Sequence, residues 1–233
     1  MRRLCMMILC LFLAVPSAQA AEGEKYVALT FDDGPSGRFT RRLLEGLAAR
    51  DAKATFLLCG YRLEQYPDIA REISDEGHEI GLHGYSHDNM KTMSRKTIAR
   101  ELEMTQALLP KGTVVSFLRP PGGCCSDGVR QVAQAKKLGI LDWSVDPQDW
   151  AKKDTSAIQR SVLRDIRDGD VVLLHDMSDS SVDAALAIVD VLQARGFRFV
   201  TVSELARIRD TDIKPGRVYR KFPPSKADNY SDS

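Results

Sequence analysis

Apolar residues follow two rhythms along this chain, and the two alternate. Short runs rich in Val, Ile, Leu and Phe stand at 26–33, 54–59, 79–83, 114–119, 140–145, 171–175 and 197–202. Such runs are read as strands. Between them, apolar residues recur at three- and four-residue spacing, which predicts helices. Leu43, Leu44 and Leu47 define one face of a helix over 40–50, and Ile69, Ala70 and Ile73 do the same for 67–76, with Gly77 at its C-terminal end. Ser94 caps a helix lined by Ile98, Ala99, Leu102 and Leu109, and Ser126 caps another over 127–138. Ile158, Val162, Leu163 and Ile166 mark a helix over 155–167. A strongly periodic helix over 181–195 ends at Gly196, and Ser203 caps a last one reaching about 209.

Seven strands alternating with helices predict right-handed βαβ crossovers and a parallel sheet. The run 171–174 is unbroken apolar sequence, as in a strand covered on both faces. The fold class is therefore α/β, read as a distorted (β/α) barrel with about seven parallel strands; an open doubly wound sheet is the alternative. No glycine-rich phosphate fingerprint follows the first strand, where Asp32-Asp33-Gly34-Pro35 stands instead, which argues against a dinucleotide fold. After about Thr211 the chain turns polar, with Pro215, Gly216, Pro223 and Pro224, and 211–233 reads as a poorly ordered tail.

The chemically unusual residues gather just past the C-terminal ends of the strands, the face where a parallel barrel collects its active-site loops. Asp32 and Asp33 end the first strand; His83 and His87 follow the third; Arg119 ends the fourth. Asp146, Asp149 and Trp150 follow the fifth, and His175 and Asp176 end the sixth. Two adjacent carboxylates at the end of a buried strand repel one another and are both penalised by desolvation. A cation removes both objections. Two imidazoles four residues apart, joined by an acid from another strand, make a set of two His and one carboxylate. Three protein ligands leave a position for water, as in catalytic rather than structural zinc sites.

Composition narrows the picture further. Hydrophobic residues are 43% and charged residues 28%, ordinary values for a folded domain. A net charge of +1 makes no electrostatic case for nucleic acid. Arg2 and Arg3, an apolar run over 4–15 and the Ala18-Gln19-Ala20 pattern read as a secretory signal peptide cut after Ala20. The alternative, an uncleaved anchor, requires a longer run, since a span takes ~20 residues. No other segment is apolar enough to span, so the mature chain is expected to be periplasmic or secreted, with its net charge changed to −1. It keeps Cys59, Cys124 and Cys125, an odd number at low density, so the fold does not rest on a disulfide framework. Cys59 reads as a small core residue.

Taken in order, TFDDGP, HGYSH, RPPGG, DPQDW and LLH resemble the five motifs of the polysaccharide deacetylase family, the nodulation-protein homology domain of metal-dependent carbohydrate esterases. The resemblance covers 25–210, so 21–210 is expected to be the catalytic domain. It implies that Asp32 is the general base, while Asp33, His83 and His87 hold one divalent ion, zinc being the natural candidate. Arg119 resembles the arginine that orients the base, His175 the general acid, and Asp149 the acid paired with it. Gly122 stands where the family often carries an aromatic, whose backbone N–H helps hold the oxyanion; the donor survives the change, but an aromatic wall is lost. Trp150 and Leu173 resemble the pocket for the acetyl methyl, although Leu173 reads equally as core. Asp146 is expected to structure its loop, and His78 to be a structural histidine. The partner implied is an acetylated glycan, and the activity removal of acetyl groups from N-acetylated sugars of a peptidoglycan- or chitin-type polymer or oligomer. An O-acetyl esterase of the xylan type and a non-catalytic carbohydrate-binding relative are the alternatives.

Overall fold

The structure, a computed structural model, describes residues 24–224. The expected signal peptide and the last residues of the expected tail lie outside this range. In chain order the elements are β1 (Lys25–Asp32), α1 (Arg38–Ala48), β2 (Ala54–Leu58), α2 (Gly60–Gln65), α3 (Pro67–Asp75), β3 (Glu79–Leu82), α4 (Arg95–Ala107), β4 (Phe117–Leu118) and α5 (Asp127–Ala135). Then come β5 (Gly139–Leu141), α6 (Thr155–Asp165), β6 (Val171–His175), α7 (Asp179–Ala194), β7 (Phe197–Phe199), α8 (Val202–Ile208) and β8 (Val218–Tyr219). The sheet runs β6-β1-β2-β3-β4-β5-β8, and β7 pairs with the N-terminal half of β1. All of these ladders are parallel. Beyond β5 the chain returns to β6 through the bridge Val145–Val172, which curls the sheet into a distorted barrel. The barrel expectation holds, and all seven strands are present.

Strand β1 explains why the chemistry collects inside. Its odd residues Val27, Leu29 and Phe31 face outward into the core shared with Leu43, Leu47, Ile188 and Leu192 of the covering helices. Its even residues Tyr26 and Ala28 join Val171, Phe117 and Tyr219 in a second cluster, and Thr30 and Asp32 continue on that inner face. The inner column thus passes from apolar at one end to polar at the other. Burying a Leu or Phe side chain is worth roughly 1.5–3 kcal/mol. A one-residue slip would turn the outer row into the barrel and carry Asp32 under the helices, so the packing of the outer row holds the register that aims Asp32 inward.

Helix boundaries follow their caps. Ser94 accepts from the Thr97 N–H and Ser126 from the Val129 N–H, as their sequence positions predict. The last two helices begin earlier than expected: Ser178 caps α7 and Thr201 caps α8, each with its hydroxyl oxygen on a backbone N–H. Strand β4 is shorter than its apolar run, because Val114 is 82% exposed and only Phe117 and Leu118 find ladder partners. Two elements escape the periodicity altogether. Helix α2 is too short to show a stripe. Strand β8 lies in the stretch read above as a polar tail, and there the structure corrects the reading: residues 211–224 pack against the barrel. Ile140 N–H donates to Arg217 C=O at 2.8 Å, and Phe222 N–H to Gly169 C=O at 2.7 Å. Tyr219 and Phe222 are buried and stacked on one another, filling the barrel where β4 and β5 are too short to do so.

Among the described residues, no helix is long and apolar enough to cross a membrane. Cys59, Cys124 and Cys125 are free thiols, Cys59 buried at the end of β2.

Candidate active site

Asp32 closes β1 with its side chain inside the barrel, 3% exposed. Arg119, fully buried at the end of β4, meets it: Nη1 donates to Asp32 Oδ1 at 2.6 Å and to Thr30 Oγ1 at 2.8 Å. Nε and Nη2 donate to the carbonyls of Leu141 and Asp142 at 3.3 and 3.0 Å, and the guanidinium lies 5.6 Å from the centre of the Trp143 ring. Every edge of the guanidinium is engaged, which fixes both its position and that of the carboxylate it holds.

Asp33 follows in a left-handed conformation, φ 71°, which turns its side chain to the same mouth instead of the opposite face. Its Oδ1 lies 3.3 Å from His83 Nε2 and 3.0 Å from His87 Nε2. His83 Nδ1 stands 2.7 Å from the carbonyl of Arg119, which can only accept, so Nδ1 carries a proton and Nε2 is the ring nitrogen turned towards Asp33. Asp33 Oδ1 is buried with no hydrogen-bond partner among the described residues. One donor atom from each of Asp33, His83 and His87 falls within 4.8 Å of the others. Electron-rich atoms converging in this way fit a divalent cation. Burial pushes the Asp33 carboxyl up, but the imidazoles of His83 and His87 outweigh it and hold it well below the usual carboxylate range. Burial, reinforced by the charges of Asp33 and Asp32, pushes the Cys59 thiol up.

His175 stands across the cavity at the end of β6. Its Nδ1 donates to Asp149 Oδ1 at 2.8 Å, and its backbone N–H donates to Asp149 Oδ2 at 2.8 Å. Nε2 is left facing the cavity, 3.9 Å from Asp33 Oδ2. Burial works against the imidazolium, yet the Asp149 hydrogen bond and the charges of Asp149, Asp32 and Asp33 outweigh it, and the pKa rises from 6.5 to about 9.

Asp32, Asp33, His83, His87 and His175 line one cavity of about 430 Å³, together with Gly122, Leu173, Trp150 and Trp143. Leu173 is 5% exposed on the inner face of β6, and Trp150 is 68% exposed at the rim. A neighbouring cavity of about 570 Å³ shares Asp33, His175 and Trp150, so the site opens into a groove. Asp146 also reaches the first cavity while accepting from the Gln148 N–H at 2.8 Å, a bond that shapes its own loop. His78 lies away from the cavity; it is buried, and its Nδ1 accepts from the Ala54 N–H at 3.1 Å.

Three residues of the site went unread in the sequence. Thr30 sits two positions before Asp32 on the same strand face, a signal that strand periodicity carries. Trp143 supplies the aromatic wall expected to be missing beside Gly122. Gly123 makes room for it, since a Cβ there would lie 2.9 Å from the indole. Glu101, on α4, reaches the loop that carries His87. Nothing in local spacing points to the last two.

A parallel α/β barrel with a carboxylate and two histidines on one side of its mouth, and a histidine–aspartate pair on the other, belongs to the metal-dependent hydrolases in its chemistry. Residues 19–141 match the family model described as polysaccharide deacetylase. The chain is 36% identical to a peptidoglycan-N-acetylglucosamine deacetylase of Bacillus cereus over 82% of its own length and 92% of the relative's. It is 32% identical to the peptidoglycan-N-acetylmuramic acid deacetylase PdaC of Bacillus subtilis, matching over 84% of this chain and 42% of that longer protein. A family 4 acetyl xylan esterase from Clostridium thermocellum, solved with a cobalt ion, superposes with a TM-score of 0.80 at 33% identity, covering 85% of this chain and 100% of that one. The chain belongs to the polysaccharide deacetylase family.

Proposed function

We propose that this protein is an exported, metal-dependent hydrolase that removes acetyl groups from N-acetylated sugars of a peptidoglycan- or chitin-type polymer or oligomer. The reading rests above all on one observation: Asp33, His83 and His87 converge within one cavity on the Asp32–Arg119 pair and face the His175–Asp149 pair across it. Peptidoglycan deacetylases among the relatives favour N-acetyl sugars as the substrate. Export rests on the signal-peptide pattern ending at Ala20.

Asp33, His83 and His87 would hold a divalent cation, zinc by donor chemistry, which in such a site polarises the acetyl carbonyl and makes water a competent nucleophile near neutral pH. Asp32, held in place by Arg119, takes the proton from the attacking water. The Gly122 backbone N–H serves the developing oxyanion. His175, protonated at neutral pH, delivers a proton from Nε2 to the leaving nitrogen, while Asp149 holds Nδ1–H and so fixes the ring. Leu173, Trp150 and Trp143 wall the space for the acetyl methyl and the sugar face.

Nothing in this machinery is specific to nitrogen, and the similarity to an acetyl xylan esterase favours O-deacetylation as the second reading. Acetate release from a panel of N- and O-acetylated glycans, with and without chelator, tests both. Chelator-sensitive release from N-acetylglucosamine polymers is expected. Release confined to O-acetyl xylan would replace the first reading with the second, and release from neither would overturn both.

A further inference from the structure

The two histidines beside Asp33 are held in different ways. His83 is 2% exposed, and its ring is fixed by the bond between Nδ1 and the Arg119 carbonyl. His87 is 43% exposed, and among the described residues its ring makes no hydrogen bond to a carbonyl or a second side chain that would orient it. It also sits at φ 64°, a conformation that a residue with a Cβ adopts at a cost. What places His87 must therefore act on its backbone.

Glu101 does this from the middle of α4. A single oxygen, Oε2, accepts from the Tyr85 N–H at 2.8 Å, the Ser86 N–H at 2.8 Å and the Ser86 hydroxyl at 3.0 Å. Ser86 Oγ in turn accepts from the Asp88 N–H at 3.3 Å, so the residues on either side of His87 trace back to the same carboxylate. The opposite edge of the loop is held by α2, where the Gly60 and Tyr61 N–H groups donate to the carbonyls of Gly84 and Tyr85 at 3.0 and 3.1 Å. The Tyr85 ring lies over Gly60 so closely that a Cβ there would come within 2.3 Å of it.

We infer that Glu101 is a positioning residue for His87: it presets the loop between β3 and α4 so that the third donor is in place before an ion arrives. This rests on reading Asp33, His83 and His87 as the metal ligands. Outer partners of metal ligands commonly contribute ~10–100-fold to metal affinity.

The test is Zn²⁺ affinity, measured by competition with a chromophoric chelator on purified wild type, Glu101→Ala, Glu101→Asp, Glu101→Gln and His87→Ala, with metal-free melting temperatures recorded alongside. Glu101→Ala is expected to bind Zn²⁺ ~10–100-fold more weakly. Glu101→Asp keeps the charge but withdraws the oxygen by one methylene, and is expected to weaken binding about tenfold. Glu101→Gln retains an oxygen acceptor for all three donors and should recover most of the affinity. If Glu101→Ala fails to fold, the aspartate variant carries the test. Wild-type affinity in a folded Glu101→Ala or Glu101→Asp protein, with binding lost in His87→Ala, overturns the role of Glu101 and leaves the metal site standing. Absence of Zn²⁺ binding in wild type overturns the metal site itself, and the role of Glu101 with it.

Discussion

Strand β3 has a titratable pair at one end and a site histidine at the other, and the two ends of the barrel treat such groups in opposite ways. At the N-terminal end, His78 and Glu79 are pushed towards their neutral forms. Burial, helped by Lys53, lowers His78 from 6.5 to about 4; Glu76 lies 3.8 Å from Nε2 but is too exposed to compensate. Burial raises Glu79 even though Thr55 and Ser203 donate to its carboxylate. At the C-terminal end, His175 is pushed towards its charged form despite being buried. The difference lies in what the neighbours are. Neutral hydroxyls and backbone groups satisfy a buried polar side chain without supplying charge, so desolvation decides its protonation. Where Asp32, Asp33, Asp149, Arg119 and three histidines converge, charge outweighs burial at Asp33 and His175 and favours their ionised forms.

The comparison breaks most sharply at Asp32. Asp32→Asn keeps the shape and the contact with Arg119 but removes the proposed base. Acetate release is expected to fall about 10³-fold, within the range for a lost general base, while Zn²⁺ stoichiometry stays at the wild-type value. Wild-type turnover in this variant would assign the base elsewhere.

At the opposite end the expected effect is on stability. His78 is neutral in the fold and titrates near 6.5 when unfolded, so its contribution is complete above pH 6.5 and is lost as pH falls towards about 4. The loss amounts to about 3 kcal/mol. Asn at this position can still accept from the Ala54 N–H without titrating. Urea midpoints measured at pH 7 and pH 4 should therefore fall further for wild type than for His78→Asn, and parallel losses would remove His78 as the cause.

Asp149→Asn sharpens the electrostatic side of the comparison. The proposed general acid, His175, acts in its protonated form, so activity is expected to fall as pH rises through its pKa. Without the Asp149 charge that pKa drops from about 9 back towards 6.5, and the alkaline limb of the pH–rate profile should move down by about one to two units. An unmoved limb would mean that another group sets it. The smallest effect belongs to Glu79→Gln. Burial already disfavours the charge, and the amide can accept from Thr55 and the Ser203 N–H, so a change of less than about 1 kcal/mol is expected by urea unfolding.

Helices and long strands were open to reading because their signals are local. The stripes of α1, α3 and α7 and the unbroken run of β6 identify themselves within a dozen residues, and Ser94 and Ser126 mark their own helix starts. Strand β8 hid because Tyr219 and the neighbouring Phe222 sit in a stretch rich in Pro, Gly, Lys and Arg, where composition speaks louder than burial. Helix α2 hid because six residues cannot show a period. In the site, residues carrying distinctive chemistry at strand ends, Asp32, Asp33, His83, His87, Arg119, Asp149 and His175, were all visible from order and spacing. Trp143 and Glu101 were not, since each acts on residues brought near only by folding.

The sequence by itself determined the alternation of strands and helices, and with it the parallel sheet and the end of it on which acids and histidines collect. Period-two burial further determined that Asp32 shares the inner face of β1 with Thr30. Only the tertiary structure decided which neighbours those residues have. It turned Asp33 to the same mouth through a left-handed backbone, closed Arg119 onto Asp32, and stacked Trp143 beside a double glycine. It also tied the His87 loop to a glutamate on another helix. The physical reason is range: periodicity, capping and turn chemistry are written within a few residues, whereas charge state, desolvation and donor convergence depend on distances between segments that are far apart in the chain.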